Sequence, residues 1–254
     1  MSDVVFRKPP LTEVSFGVRF KTPAEFSSAY IGRFWAQIAK DFSQAVDRPP
    51  IFDPKAAFGE DSFAPRVWLV HKDQALLLQI QRDRFYVNWR RIGEPNKVYP
   101  SFNLLQPSFT RYFGEWRSFV DTSGLGQLEI VGCELTYTNF VSPNSRWKGL
   151  SEVGKVFSPL GASQDIGAKH IVSGWNGVFD FVTNRITATI QTLRNVSDAS
   201  QHKMQFEIKA EALVPPSANE DFGTWMTAAN SDIVSAFLTL TTEWAQTDLW
   251  ERIK

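Results

Sequence analysis

The chain has 254 residues, 43% hydrophobic and 21% charged, and its 27 basic side chains balance 27 acidic ones. That length holds one large domain or two small ones with a real core, while the neutral balance excludes a generally basic nucleic-acid binder and an acidic disordered tail. A single cysteine excludes a disulfide framework and a cysteine-rich zinc site.

The first ten residues hold Pro9 and Pro10 and read as extended. Glu13–Phe20 alternates, with Val14, Phe16, Val18 and Phe20 on one face, as a half-buried strand does. Thr22, Pro23 and Glu25 have the form of a capping box with proline in the first turn. Phe26, Tyr30, Phe34, Ile38 and Phe42 then recur every four residues, which predicts a helix over about 22–46. Residues 47–65, with four prolines, read as a long loop. Strands are predicted at 66–71, 75–81 and 85–91, joined by tight turns at Lys72-Asp73-Gln74 and Arg82-Asp83-Arg84 and therefore antiparallel. Pro107 opens a second helix that carries Phe109, Tyr112, Phe113, Trp116 and Val120 on one face and ends near Ser123-Gly124.

After Gly126 the pattern restarts. Glu129–Val141 reads as a strand with Val131, Cys133, Leu135 and Tyr137 inward, 146–157 as a weak helix, and 158–169 as a loop. Further strands are predicted at 171–182, 185–195 and 203–214. Ser217 and Glu220 form another capping box before a closing helix striped by Phe222, Met226, Ile233, Phe237, Leu240 and Trp244.

Residues 1–127 and 128–254 thus share one order: strand, helix, three strands, helix. Glu13-Val14-Ser15-Phe16 also aligns with Glu134-Leu135-Thr136-Tyr137. The expectation is an α+β protein built by tandem duplication, its halves joined in one curved antiparallel sheet of about eight strands with helices on one face. This order resembles the duplicated saddle of the TATA-binding-protein fold and its helix-grip relatives, a likeness of architecture that implies no function.

The chemistry-bearing residues are sparse. His71, His170 and His202 lack metal-site spacing, and Cys133 occupies an inward strand position. No phosphate loop, nucleophile elbow or dinucleotide fingerprint occurs in the right context. No catalytic residue, metal or cofactor is therefore expected. The acids Glu13 and Glu134 project from equivalent strand positions and are candidate binding residues.

The strongest local signal is the run Arg82-Asp83-Arg84-Phe85-Tyr86-Val87-Asn88-Trp89-Arg90-Arg91. Phe85, Val87, Trp89 and Arg91 share one face of this strand; Tyr86, Asn88 and Arg90 share the other. Arginines beside aromatic rings stack bases and neutralise phosphates, or else brace a tryptophan core. Residues 1–127 carry 17 Lys and Arg against 13 Asp and Glu, and residues 128–254 carry 10 against 14. The candidate ligand or partner residues are Arg82, Arg84, Tyr86, Asn88, Arg90, Arg91, Glu13 and Glu134.

Pro9-Pro10-Leu11-Thr12-Glu13-Val14, Gln81-Arg82, Asn88-Trp89-Arg90, Tyr99-Pro100, Phe113-x-x-Trp116-x-x-Phe119 and Glu134-Leu135-Thr136-Tyr137-Thr138-Asn139 together resemble a sporadically distributed bacterial family of uncharacterised proteins of about this length. The resemblance spans most of residues 9–140 and brings no activity, cofactor or catalytic residue. Its patchy distribution implies an accessory role in mobile defence or toxin–antitoxin loci. The expected function is non-catalytic binding of a protein partner or a second copy. Nucleic-acid binding by the 82–91 strand is the alternative, and an enzyme with a cleft between the halves, using Glu13, Glu134 and Arg90, is the second. No run of about 18 apolar residues and no charged-then-apolar leader is found, so a cytoplasmic protein without membrane contact is expected.

Overall fold

The structure, a computed structural model, describes residues 4–51, 65–92, 99–161, 172–194, 202–216 and 222–254. In chain order the elements are β1 (Leu11–Phe20), α1 (Ser28–Ile38), β2 (Gln44–Arg48), β3 (Arg66–Val70), β4 (Leu76–Gln81), β5 (Arg84–Arg90), α2 (Phe102–Thr122), β6 (Ile130–Val141), β7 (Gly174–Asp180), β8 (Asn184–Arg194), β9 (His202–Ala212) and α3 (Phe222–Leu240). The nine strands form one antiparallel sheet in the order β2-β3-β4-β5-β1-β6-β9-β8-β7, and the fold is α+β as expected. By contact density the chain divides into two compact units. One comprises residues 14–134 and 214–226; the other comprises residues 1–13, 135–213 and 227–254.

In the first unit the alternation of β1 is realised: Val14, Phe16, Val18 and Phe20 are all buried. Against them lies the aromatic face of α2. Phe16 stands 5.5 Å from Phe109, and Phe85 of β5 stands 5.8 Å from Phe113. Trp116 is fully buried with Phe34 of α1 at 5.1 Å and Phe119 at 5.7 Å. Rings of this size contribute on the order of 1.5–3 kcal/mol each on burial, and edge or offset contacts add about 0.5–1.5 kcal/mol per pair. The aromatic excess of this part of the sequence is therefore largely core.

In the second unit Ile186, Ala188 and Ile190 of β8 and Met204, Phe206, Ile208 and Ala210 of β9 are buried. Phe206 stacks on Phe237 of α3 at 5.9 Å, and the Tyr137 hydroxyl lies 2.6 Å from Asn230 Oδ1.

Several element boundaries differ from those the sequence predicts. Thr22 and Pro23 do not start α1; Phe26 N–H bonds the Pro23 carbonyl in a separate turn, and the helix begins after the extended Ser27. The helix stops at Ile38, and Gln44–Arg48, read as its tail and the following loop, is strand β2 paired with β3. Four-residue spacing identified buried rings correctly, since Phe26 and Phe42 are core, but neither is in the helix. Pairing with an available sheet edge outweighs a weak helical pattern. β2 is also the ninth strand, beyond the eight expected.

Helix α2 starts at Phe102, five residues before Pro107, which lies inside it. The missing proline N–H costs one helical bond, offset by burial of Phe102 and Leu105. The stretch read as a helix over 146–157 is a 3₁₀ segment, Leu150–Lys155. The closing helix ends at Leu240, with a π-turn at Ala245–Leu249 beyond it. The capping box at Ser217 and Glu220, most of the loop expected at 47–65 and most of that at 158–169 lie outside the described residues.

Candidate functional site

The register of the first unit sorts its strands into two faces. Ile80 pairs with Phe85 and Leu78 with Val87, and Phe85 touches α2, so these positions form the helix-bearing face. Alternation sends Trp68, Gln79, Tyr86, Asn88 and Arg90 to the opposite face. Val46 and Arg48 of β2 join them there, opposite Trp68 and Arg66.

Three guanidinium groups surround the Trp68 ring on that face. The Arg48, Arg90 and Arg66 carbons lie 4.5, 5.4 and 5.6 Å from its centroid. Gln79 fixes the ring: its Oε1 accepts from Trp68 Nε1 at 2.9 Å and from Arg66 Nη1 at 2.7 Å. Gln79 Nε2 in turn donates to Asn88 Oδ1 at 2.8 Å. Gln79 and Asn88 are 7% and 2% exposed, so this network would be costly without these bonds. Arg48 is exposed, while Arg66, Trp68 and Arg90 are half-buried.

A second group lies beside β1. Arg84, buried, donates from Nε and Nη2 to the two carboxylate oxygens of Asp83 at 3.1 and 2.7 Å. Burial works against its charge, but the Asp83 hydrogen bonds and charge prevail and hold its pKa above the ordinary value. The Tyr86 hydroxyl interacts with both Glu134 and Arg84; burial first, then the Glu134 charge, raises its pKa. Its ring covers Gly17, where a β-carbon would come within 2.2 Å of Tyr86 Cε1.

The structure brings together Asn88 and Arg90 around Trp68, and Arg84, Tyr86 and Glu134 beside Gly17. It does not gather all the nominated arginines. Arg84 is matched to a carboxylate of its own chain. Arg82 is half-buried in the two-residue turn between Gln81 and Arg84. Arg91 follows β5 on the helix-bearing side of the alternation, and burial lowers its pKa. Glu13 is half-buried on β1. Sequence reasoning missed Arg48, Arg66, Trp68 and Gln79. The Arg66-x-Trp68 spacing on a predicted strand was an available signal; Arg48 was hidden by its assignment outside any strand.

Cys133 is buried and its thiol is pushed up to about 12 by that burial. Among the described residues no three His, Cys, Asp or Glu side chains are grouped to hold a metal, and His170 lies outside them. Among those residues no helix is long and apolar enough to cross a membrane. No family model and no curated protein matches the chain.

Proposed function

We propose that the chain is a non-catalytic binding protein that engages an anionic partner through the face of the first unit opposite α1 and α2. The observation that carries this reading is the placement of three guanidinium groups around one tryptophan, whose ring Gln79 holds together with Arg66. A preorganised cationic surface loses little side-chain entropy when it meets an anion, and guanidinium groups suit phosphate and carboxylate geometry. The partner is cytoplasmic in this reading. In each half the first strand lies beside the last, although the first half carries the additional strand β2, and this shared placement supports an origin by duplication.

The Arg–Trp combination favours nucleic acid, preferably single-stranded, as the anionic partner, because guanidinium planes seated on an aromatic ring can stack bases as well as meet phosphates. The test is fluorescence anisotropy with a labelled single-stranded oligonucleotide and, separately, labelled heparin, across a salt series. Binding of both supports an anion-binding face. Binding of the oligonucleotide alone adds base stacking, and binding of neither at low salt removes the proposal.

A further inference from the structure

Among the described residues strand β7 ends the sheet in its order and forms a ladder with β8 alone, with Gly174 opposite Gln191 through Asp180 opposite Arg185. Thr192 N–H bonds the Ser173 carbonyl at 3.0 Å and Phe181 N–H bonds the Asn184 carbonyl at 2.7 Å. Odd-numbered positions therefore direct their backbone groups toward β8. Alternation leaves the N–H and C=O groups of Gly174, Asn176, Val178 and Asp180 directed away from it.

The side chains make this edge self-complementary. Trp175 and Phe179 stack at 6.2 Å over Gly177, where a β-carbon would meet them at 2.3 and 2.9 Å. Phe179 and Val178 are 41% and 56% exposed. An antiparallel pairing of β7 with itself, centred on Gly177, sets Trp175 opposite Phe179 of the second copy and Asn176 opposite Val178. In that register the outward backbone groups face each other, while the aromatic pairs occupy the non-hydrogen-bonded positions where side chains approach most closely. The two glycines leave room for four rings.

Charge permits the same register. Asp180 is the strand's one charged side chain; it is bound to Arg185 at 2.7 Å and would face Gly174. The other end of the sheet is different: β2 is five residues long, carries Asp47 and Arg48, and is followed by Pro49 and Pro50. Those are the devices that block edge pairing, and β7 has neither a proline nor a lysine.

We propose that β7 is a homodimer interface, formed by antiparallel pairing of the Gly174–Asp180 strands of two copies about a two-fold axis at Gly177. The sheet then continues across the axis, an isologous contact that closes on itself.

The test is sedimentation velocity of the full chain over a concentration series. The expected species has twice the 28.8 kDa chain mass. Val178→Pro removes an outward N–H without touching the ladder to β8 and weakens association on the order of a hundredfold. Trp175→Glu and Phe179→Lys variants each weaken self-association, and mixing the two restores a dimer, because each new charge then faces its opposite. A wild-type monomer at the highest soluble concentration overturns the proposal. So does a dimer unchanged by these substitutions, and failure of the mixture to dimerise better than either variant alone does the same.

Discussion

Gly17 of β1 lies directly under the ring of Tyr86 of β5, so close that no β-carbon fits between them. Glycine inside a strand normally costs about 0.5–1 kcal/mol relative to alanine, and here the ring occupies the space that alanine would need. Gly17→Ala is therefore expected to destabilise by about 1–3 kcal/mol, the reverse of the propensity effect. Chemical denaturation measures it. In the Tyr86→Ala background the same substitution should cost less, because the close approach that remains is to Glu134 Cγ at 2.9 Å.

Gln79 has three satisfied side-chain partners in Arg66, Trp68 and Asn88. Gln79→Leu keeps the volume but strands an indole N–H and the Asn88 carbonyl, at about 1–3 kcal/mol. Gln37→Leu, at an exposed position on α1, is the control and should stay within about 0.5 kcal/mol. Equal midpoint shifts for the two variants would show that the Gln79 network does not organise this face.

Cys133 is 1% exposed, and burial pushes its thiol pKa up to about 12. Alkylation of the native protein at mildly alkaline pH should therefore proceed only through opening of the structure. The rate should rise with denaturant in parallel with unfolding. Rapid modification of the native chain, followed by mass spectrometry, would contradict this burial.

The Glu251 carboxylate takes a hydrogen bond from Lys8 at 2.6 Å, with Arg146 and Arg7 at 3.4 and 3.6 Å. The Lys8 hydrogen bond, opposed by desolvation and aided by these charges, holds its pKa below the ordinary 4.5. A lowered carboxylate pKa stabilises the fold above the unfolded value and ceases to do so as pH falls through the folded value. The difference in Tm between wild type and Glu251→Gln should be constant from neutral pH to about pH 5, then shrink as pH falls below 4.5. A difference that grows on acidification would reverse the assignment.

The fold was legible wherever alternation had a buried face to register. β1, β5 and β9 were found nearly to the residue because Phe16, Phe85 and Phe206 recur among residues of period two. β2 was not, because one half-buried Val46 among exposed neighbours carries no strand period; its pairing with β3 is a long-range choice. The candidate site was half visible for the same reason. Asn88 and Arg90 belong to a readable strand, but Arg48 reaches Trp68 only through β2. Arg84 illustrates the opposite error, since Asp83, the residue just before it, accepts two of its guanidinium hydrogen bonds, which a charge count cannot see.

The central claim is that the guanidinium groups around Trp68 form an anion-binding face. Its most direct test is the slope of log affinity against log salt for a single-stranded oligonucleotide, measured with wild type and with the double variant Arg48→Ala and Arg90→Ala. Three phosphate contacts predict a wild-type slope of about −2, and each arginine removed should reduce its magnitude by about 0.7. A slope near zero, or one unchanged in the double variant, would contradict the account and leave the arginines as braces of the Trp68 ring.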